Sequence, residues 1–264
     1  EGIEEYKYFW SREVDFKELF KQEYLSSTFD FIIQNYIEED KQQKFKEFLE
    51  IIQNFHYAIV GRFAVSLWTN GSKTLSLEDF SIKILPSQEI EITNTLKDKG
   101  FRLRKRNIFL NTPWVVFEKE GKGFDVLIAQ KEWDIIGIKE ADKFNYKGII
   151  IKVIPIEYLI VSKLYIGRTR DIRDVAILLR SGKIDFQTVR NTVKRFIPSE
   201  LDGLENLIEY AKQFDTKDIN KLFEKLQQEE RERQEFIELI NELREALHKS
   251  LEEEENNKEN EESD

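Results

Sequence analysis

The feature that most constrains the fold is a short apolar run that ends in a glycine. Residues Tyr57 to Val60 are apolar, Gly61 follows them directly, and apolar positions then recur at helical spacing until Asn70-Gly71. This change of period predicts a strand, a glycine turn and a helix.

The next segment alternates between apolar and polar residues. The apolar set is Phe80, Ile82 and Ile84, and the polar set is Asp79, Ser81 and Lys83. Successive side chains of a strand point to opposite faces, so we expect the polar set to lie together on one face of a strand.

The remaining pattern predicts an α+β fold in which helices flank a mixed sheet. Ser87 is expected to cap a helix that ends at Gly100. Further strands are predicted at residues 101–109, 114–118, 124–129 and 149–154, and helices at residues 155–165, 169–181, 185–197 and 201–213. We therefore divide the chain into an N-terminal helical segment, an α/β core, a helical annex, a long charged helix and a disordered acidic tail, at residues 1–55, 56–154, 155–214, 215–251 and 252–264.

The composition argues against several classes of protein. The chain has no cysteine and two histidines, so disulfides and thiolate or histidine metal sites are not expected. It has no apolar run of eighteen residues and no signal-peptide pattern, which predicts a cytoplasmic protein without membrane contact. A charged fraction of 35% is compatible with a thermophilic source.

The order of the core elements resembles the polymerase-beta-like nucleotidyltransferase superfamily. Its members carry a strand, Gly-Gly or Gly-Ser, a helix, a strand with Asp-x-Asp, and a neighbouring strand with a third Asp. Here Asp79 matches the first Asp, Ser81 replaces the second, and Asp125 matches the third. The resemblance implies transfer of NMP from an NTP to a hydroxyl acceptor, with Mg²⁺ or Mn²⁺ held by Asp79 and Asp125 as catalytic residues.

The serine makes this implied metal site incomplete. Two-metal catalysis depends on carboxylate oxygens held on a rigid frame, and the hydroxyl of Ser81 is neutral. Asp79 and Asp125 are either inherited metal ligands or ordinary acids on a strand surface. Glu78 is expected on the opposite face, so it does not replace the missing carboxylate.

The residue after Gly61 also departs from the family pattern. A second glycine or serine there lets phosphate oxygens approach backbone N–H groups at a helix N-terminus, whereas this chain has Arg62. Arg62 either clamps a phosphate, or fills the pocket and pairs with Asp79, or lies solvated in the first turn. We favour the second alternative. Gly61, Arg62 and Ser81 are thus candidates for nucleotide binding.

The segment after Pro155 resembles the annex of the abortive-infection-toxin-like branch of the superfamily. In that branch a helix with a lysine precedes a helix with Arg-x-x-Asp-x-x-Asp, matched here by Lys163 and by Arg168, Asp171 and Asp174. The resemblance implies that Lys163 faces the nucleotide phosphates. The alternative is that Lys163 forms a salt bridge on the helix face. The two aspartates are expected to orient basic neighbours.

Two further surfaces are candidates for partner binding. Arg102, Arg104 and Arg106 alternate along a predicted strand, so their side chains would line one face. Such a row suits RNA or DNA, although exposed strands also carry charges that prevent edge pairing.

The helix within residues 217–251 carries an apolar stripe, formed by Phe236, Ile240, Leu243 and Leu247. It either serves solubility or binds a protein partner or a second copy of the chain.

Two hypotheses follow for the function. The first is a nucleotidyltransferase-like protein that binds a nucleotide but whose transfer activity is weakened or lost. The second is a non-catalytic scaffold that binds a protein or nucleic-acid partner through its C-terminal helix or its basic face.

Overall fold

The structure is a computed structural model that describes residues 20–69, 71, 80–109, 112–215, 217–232, 234–235 and 237–238. The chain divides into two units, Glu1–Phe214 and Asp215–Asp264. Several predictions lie outside the described residues, namely those on Glu78, Asp79, the four residues of the apolar stripe and the acidic tail.

The described part of the first unit contains the predicted mixture of helices and strands. The helices are α1 (residues 20–36), α2 (Glu39–Ile52), α3 (Gly61–Trp68), α4 (Glu89–Asp98), α5 (Glu132–Lys139), α6 (Ile156–Ile166), α7 (Thr169–Arg180), α8 (Phe186–Phe196) and α9 (Leu201–Gln213). The strands are β1 (Tyr57–Val60), β2 (Ser81–Ile84), β3 (Arg102–Phe109), β4 (Thr112–Lys119), β5 (Lys122–Ile128), β6 (Asp142–Tyr146) and β7 (Ile149–Val153). The α+β class is thus confirmed.

The strands form one mixed sheet in the order β3-β4-β5-β2-β1-β7-β6. β2 runs antiparallel to β1 and parallel to β5, and β1 runs parallel to β7. The four-residue strand β1 is therefore an interior strand, and all four of its side chains are buried. This explains why it is apolar throughout instead of alternating.

One face of the sheet packs against α1 and α2 through a cluster of phenylalanines. The ring of Phe48 in α2 stacks on that of Phe124 in β5 at 4.3 Å, and Phe45 meets Phe80 edge to face at 4.7 Å. Phe63 of α3 joins the cluster through Phe80. Val126 and Ile128 are buried on the same face as Phe124, since they alternate with the half-buried Asp125 and Leu127.

The opposite face is covered by α5 and α6 near β1 and β2. Lys83 of β2 points to this face and contacts Asp134 in α5. α5 and β6 were not predicted from the sequence. The prediction that Ser87 caps a helix is wrong, because Pro86 opens a 3₁₀ turn, Pro86–Gln88, and α4 follows it.

Gly137 in α5 lies at a close approach to Ile154, the residue that follows β7, and to α6. A Cβ atom at this position would lie 2.5 Å from Cδ1 of Ile154 and 3.1 Å from Cβ of Tyr158.

We expect Gly137→Ala to lower the free energy of unfolding by about 1–3 kcal/mol, because the neighbouring atoms must move. The matched control is Gly203→Ala in α9, where a Cβ would meet no atom within 4 Å. That variant should be more stable by about 0.4–1 kcal/mol, since alanine has fewer unfolded conformations. Urea denaturation measures both changes, and equal stability of the two variants would contradict the close packing.

In the second unit, residues 217–232 form a helix, α10. Leu222 and Leu226 lie one turn apart on it and are about two-fifths exposed. Among the described residues, no helix combines the length and apolar character needed to cross a lipid bilayer.

Candidate functional site

A cavity of about 180 Å³ lies where the sheet meets the helical second half of the first unit. Its walls come from the ends of β1 and β2, from β5, and from α5, α6 and the start of α7. A larger groove of about 510 Å³ runs along α1, but Glu23 is the only charged side chain on its described walls. The smaller cavity is therefore the better candidate for polar chemistry.

Gly61 forms one end of the cavity, at the turn from β1 into α3. Its φ angle is +67°, a conformation that glycine adopts without the strain of a Cβ atom. The next residue, Arg62, is half-buried and lies near Arg170 of α7. Burial lowers the pKa of Arg170, and the charges of Arg168 and Arg62 lower it further. Arg62 thus belongs to a cluster of positive charge at the start of α7.

Ser81 and Asp125 occupy directly paired positions on the parallel strands β2 and β5. Ser81 lines the cavity, and so does Lys83, two residues further along the same face of β2. The predicted shared face of Ser81 and Lys83 is therefore observed. The roles of Asp79 and Asp125 as metal ligands stay predictions.

Lys83 forms a buried ion pair with α5. Its ammonium donates a hydrogen bond to Oδ1 of Asp134 at 2.7 Å, and the two residues are 9% and 3% exposed. The hydroxyl of Ser162 in α6 donates to the same carboxylate oxygen at 3.3 Å. This network holds the ammonium of Lys83 against the cavity wall.

Lys163 lies at the centre of a second ion-pair network. Its ammonium donates to Oδ1 of Asp171 and to Oδ2 of Asp174, at 2.8 Å each, and Arg168 donates to the other oxygen of Asp171 at 2.5 Å. The aspartates thus hold basic neighbours, as the sequence suggested. Lys163 also lines the cavity, so the salt bridge and the phosphate contact that were weighed as alternatives are compatible.

The second network shifts the pKa values of Lys163 and Asp171. Burial lowers the pKa of Lys163, and the charge and hydrogen bond of Asp171 oppose this effect. Burial raises the pKa of the Asp171 carboxyl, but the hydrogen bond from Arg168 and the charge of Lys163 outweigh burial, so its pKa is lowered. Asp171 therefore stays a carboxylate at neutral pH.

Aromatic side chains form part of the cavity wall. The rings of Trp133 in α5 and Tyr165 in α6 lie edge to face at 5.1 Å. The ammonium of Lys131 lies 4.9 Å from the centre of the Tyr165 ring. Tyr165 is 45% exposed, so its ring is also accessible from outside.

The charges around the cavity have a positive excess. Four cations line it, and they are Lys83, Lys131, Lys163 and Arg168. Two carboxylates line it, those of Asp134 and Asp171. The net lining charge of +2 favours an anionic ligand.

The described donor atoms do not fit a pair of divalent cations. Ser81 offers a neutral hydroxyl, and Lys83 brings a positive charge to the same face of β2. Within the described residues, no group of three histidine, cysteine, aspartate or glutamate side chains is placed to hold a metal ion. A two-metal site is therefore not supported by this part of the chain.

The predicted row of three arginines on one face of β3 is wrong. The register of β3 against β4 shifts between Leu103 and Lys105, which marks a bulge. As a result Arg102 lies opposite Glu118, whereas Arg106 lies opposite the buried Val115 on the other face. Arg106 pairs with Glu89 of α4, and Arg104 pairs with Glu118. These paired charges weaken the case for a nucleic-acid surface.

Sequence reasoning missed most residues of the cavity wall. The alternation in β2 predicts the face on which Lys83 lies but assigns it no role, and no motif points to Trp133, Asp134, Ser162 or Tyr165. A signal for Asp134 existed, because an acid in the first turn is typical of a helix start, but the helix itself was not predicted.

Comparisons with known proteins add a weak similarity of structure. No protein-family model matches the sequence, and a search of curated proteins finds no match. The structure is similar to the crystal structure of an antigenic nucleotidyltransferase-like protein from Paracoccidioides brasiliensis. The two are 16% identical with a TM-score of 0.35, and the match covers 61% of this chain and 93% of the other. This TM-score is too low to support a conclusion, so the proposals about this chain rest on its own residues.

Proposed function

We propose that this chain binds a nucleotide in the cavity beside Gly61 and that its nucleotidyltransferase-like core transfers NMP weakly or not at all. The observation that carries the proposal is the positive excess of the cavity lining, four cations against two carboxylates. A cavity of this charge suits phosphate oxygens, which ammonium and guanidinium groups bind through charge-assisted hydrogen bonds.

The size of the cavity indicates which part of the nucleotide it encloses. Its volume of about 180 Å³ is below the roughly 300–1,000 Å³ that is usual for small-molecule pockets. We therefore infer that a phosphate group enters the cavity, near Lys163 and Arg168, and that the nucleoside stays closer to the surface. The exposed ring of Tyr165 offers a face on which a base can stack.

The loss of transfer activity is inferred from the chemistry of β2. Transfer of NMP from an NTP to a hydroxyl group needs charge stabilisation at the attacking and leaving oxygens, which two carboxylate-bound metal ions provide in a two-metal site. Ser81 and Lys83 do not supply such ligands. Residual transfer dependent on Mg²⁺ or Mn²⁺ would require Asp79 and Asp125, and the variants Asp79→Asn and Asp125→Asn would abolish it.

Calorimetric titration with ATP, GTP, CTP and UTP tests the proposal, with and without Mg²⁺ or Mn²⁺. We expect at least one nucleotide to bind. Lys131→Ala should weaken that binding about tenfold, since it removes one charge-assisted contact worth about 1.4 kcal/mol. Lys139→Ala is the matched control, because Lys139 is an exposed lysine at the end of α5, the helix that Lys131 immediately precedes. It should leave the affinity unchanged. No binding of any nucleotide under any of these conditions would refute the proposal.

The exposed leucines of α10 favour the scaffold as a second candidate function. Leu222 and Leu226 present an apolar strip on one side of that helix. Such a strip is typical of a surface that packs against another helix. A negative result in the nucleotide titrations would make this the better hypothesis.

A further inference from the structure

The position of Lys83 gives the cavity a fixed positive charge. It lies two residues from Ser81 on the same face of β2, so the two Cα atoms are about 7 Å apart along the strand. The neighbouring strand β5 places Asp125 directly across from Ser81. Lys83 and Ser81 both line the cavity, and Ser81 occupies the position of the second carboxylate in the superfamily pattern.

The contacts of Lys83 leave part of its ammonium available to a ligand. An ammonium group has three N–H donors, and within the described residues Lys83 has one hydrogen-bond acceptor, Oδ1 of Asp134. That bond fixes the direction of the side chain, and Ser162 in turn holds the carboxylate. Lys83 lines the cavity, so its other N–H donors are available to a ligand bound there.

The net charge of the cavity lining matches that of a phosphate monoester in magnitude. A phosphate monoester carries about −1.5 to −2 at neutral pH, close in magnitude to the net +2 of the cations and carboxylates that line the cavity. A triphosphate carries more negative charge than this lining neutralises, so the lining balances only part of its charge.

We propose that the ammonium of Lys83 supplies the positive charge that a divalent cation would bring, so that the cavity binds a nucleoside monophosphate without a metal ion. The inference rests on the proposed nucleotide binding and adds the ligand class and the independence from metal. Asp134 acts as a positioning residue, because it orients the ammonium and does not itself meet the phosphate.

Calorimetric titration of the full chain with AMP, GMP, CMP and UMP tests this inference, in EDTA and again in Mg²⁺. We expect at least one monophosphate to bind with a dissociation constant that agrees within about twofold between the two conditions. Binding in Mg²⁺ that disappears in EDTA would overturn the inference while the proposed nucleotide binding would stand. Absence of binding for mono- and triphosphates in both conditions would refute both.

Variants of Lys83 identify the residue that carries the charge. Lys83→Met should weaken monophosphate binding in EDTA at least about tenfold, whereas Lys83→Arg should keep most of it because the charge remains. Lys97→Met is the control, since Lys97 is exposed in the last turn of α4, and it should bind as the unchanged chain does. Full affinity of Lys83→Met in EDTA would overturn the inference.

A second variant covers the case in which Lys83→Met does not fold. In Lys83→Met/Asp134→Leu both charges of the buried pair are replaced by apolar groups, which often restores stability. Circular dichroism verifies that it folds. Because the Asp134 carboxylate is removed together with the Lys83 ammonium, the net lining charge is preserved while the directed ammonium is lost. We still expect at least about tenfold weaker binding, and unchanged affinity would contradict the role of Lys83.

Discussion

Replacing Lys163 with methionine is expected to lower the free energy of unfolding by about 3–5 kcal/mol. The Lys163 ammonium lies 2.8 Å from one oxygen of each of two carboxylates, those of Asp171 and Asp174. Asp171 has no exposed surface and Asp174 is 3% exposed. Methionine fills much of the same volume but carries no charge, so the two carboxylates lose their shared cation where water cannot replace it.

Chemical denaturation of the variant and of the unchanged chain measures this effect. The matched control is Lys212→Met, which removes an exposed ammonium that lies 2.7 Å from Glu209. Exposed ion pairs contribute about 0–1 kcal/mol, so the control should unfold at nearly the original denaturant concentration. If Lys163→Met costs less than about 1 kcal/mol, the network does not have the structural importance assigned to it here.

Replacing Phe45 with alanine is expected to cost about 3–5 kcal/mol of unfolding free energy. Phe45 is 1% exposed and its ring contacts lie between the helices and the sheet. Its ring centre is 4.7 Å from that of Phe80 and 6.1 Å from that of Phe29. The variant loses the transfer free energy of the ring and leaves a cavity that the surrounding rings fill only in part.

Thermal denaturation followed by circular dichroism measures the loss in Phe45→Ala. Ile90→Ala in α4 provides the comparison, because that side chain is 77% exposed. Its stability should stay within about 0.5 kcal/mol of the unchanged chain. Similar midpoints for the two variants would show that Phe45 does not sit in the core as described.

The local sequence pattern predicts the burial of Phe45 more directly than it predicts the ion pairs of Lys163. Phe45 belongs to a set of apolar residues at helical spacing, so its burial in α2 follows from the period alone. Lys163 lies in a strongly apolar helix, and its partners follow eight and eleven residues later. The sequence suggested this proximity, but only the turn at Gly167, with a φ angle of +69°, sets α6 and α7 against each other.

Prediction from the sequence failed where the spacing of apolar and polar residues was interrupted or ambiguous. The alternation of Arg102, Arg104 and Arg106 implied one face, and a single bulge moved Arg106 to the other face. α5 escaped prediction because a short apolar run does not distinguish a buried helix from a strand. β6 escaped prediction because only two of its residues, Phe144 and Tyr146, are apolar, which is too short an alternation to indicate a strand.

The sequence by itself determined the strand, glycine turn and helix at residues 57–68, the shared face of Ser81 and Lys83, and the mixed α+β character of the chain. These features follow from the spacing of apolar and polar residues and from Gly61, and both signals extend over only a few residues. Only the tertiary structure decided the composition of the cavity. It pairs Lys83 with Asp134, 51 residues later, and brings Ser162 to the same carboxylate. No local pattern specifies such contacts, because they depend on how α5 and α6 pack on the sheet and on the burial that makes each ion pair necessary.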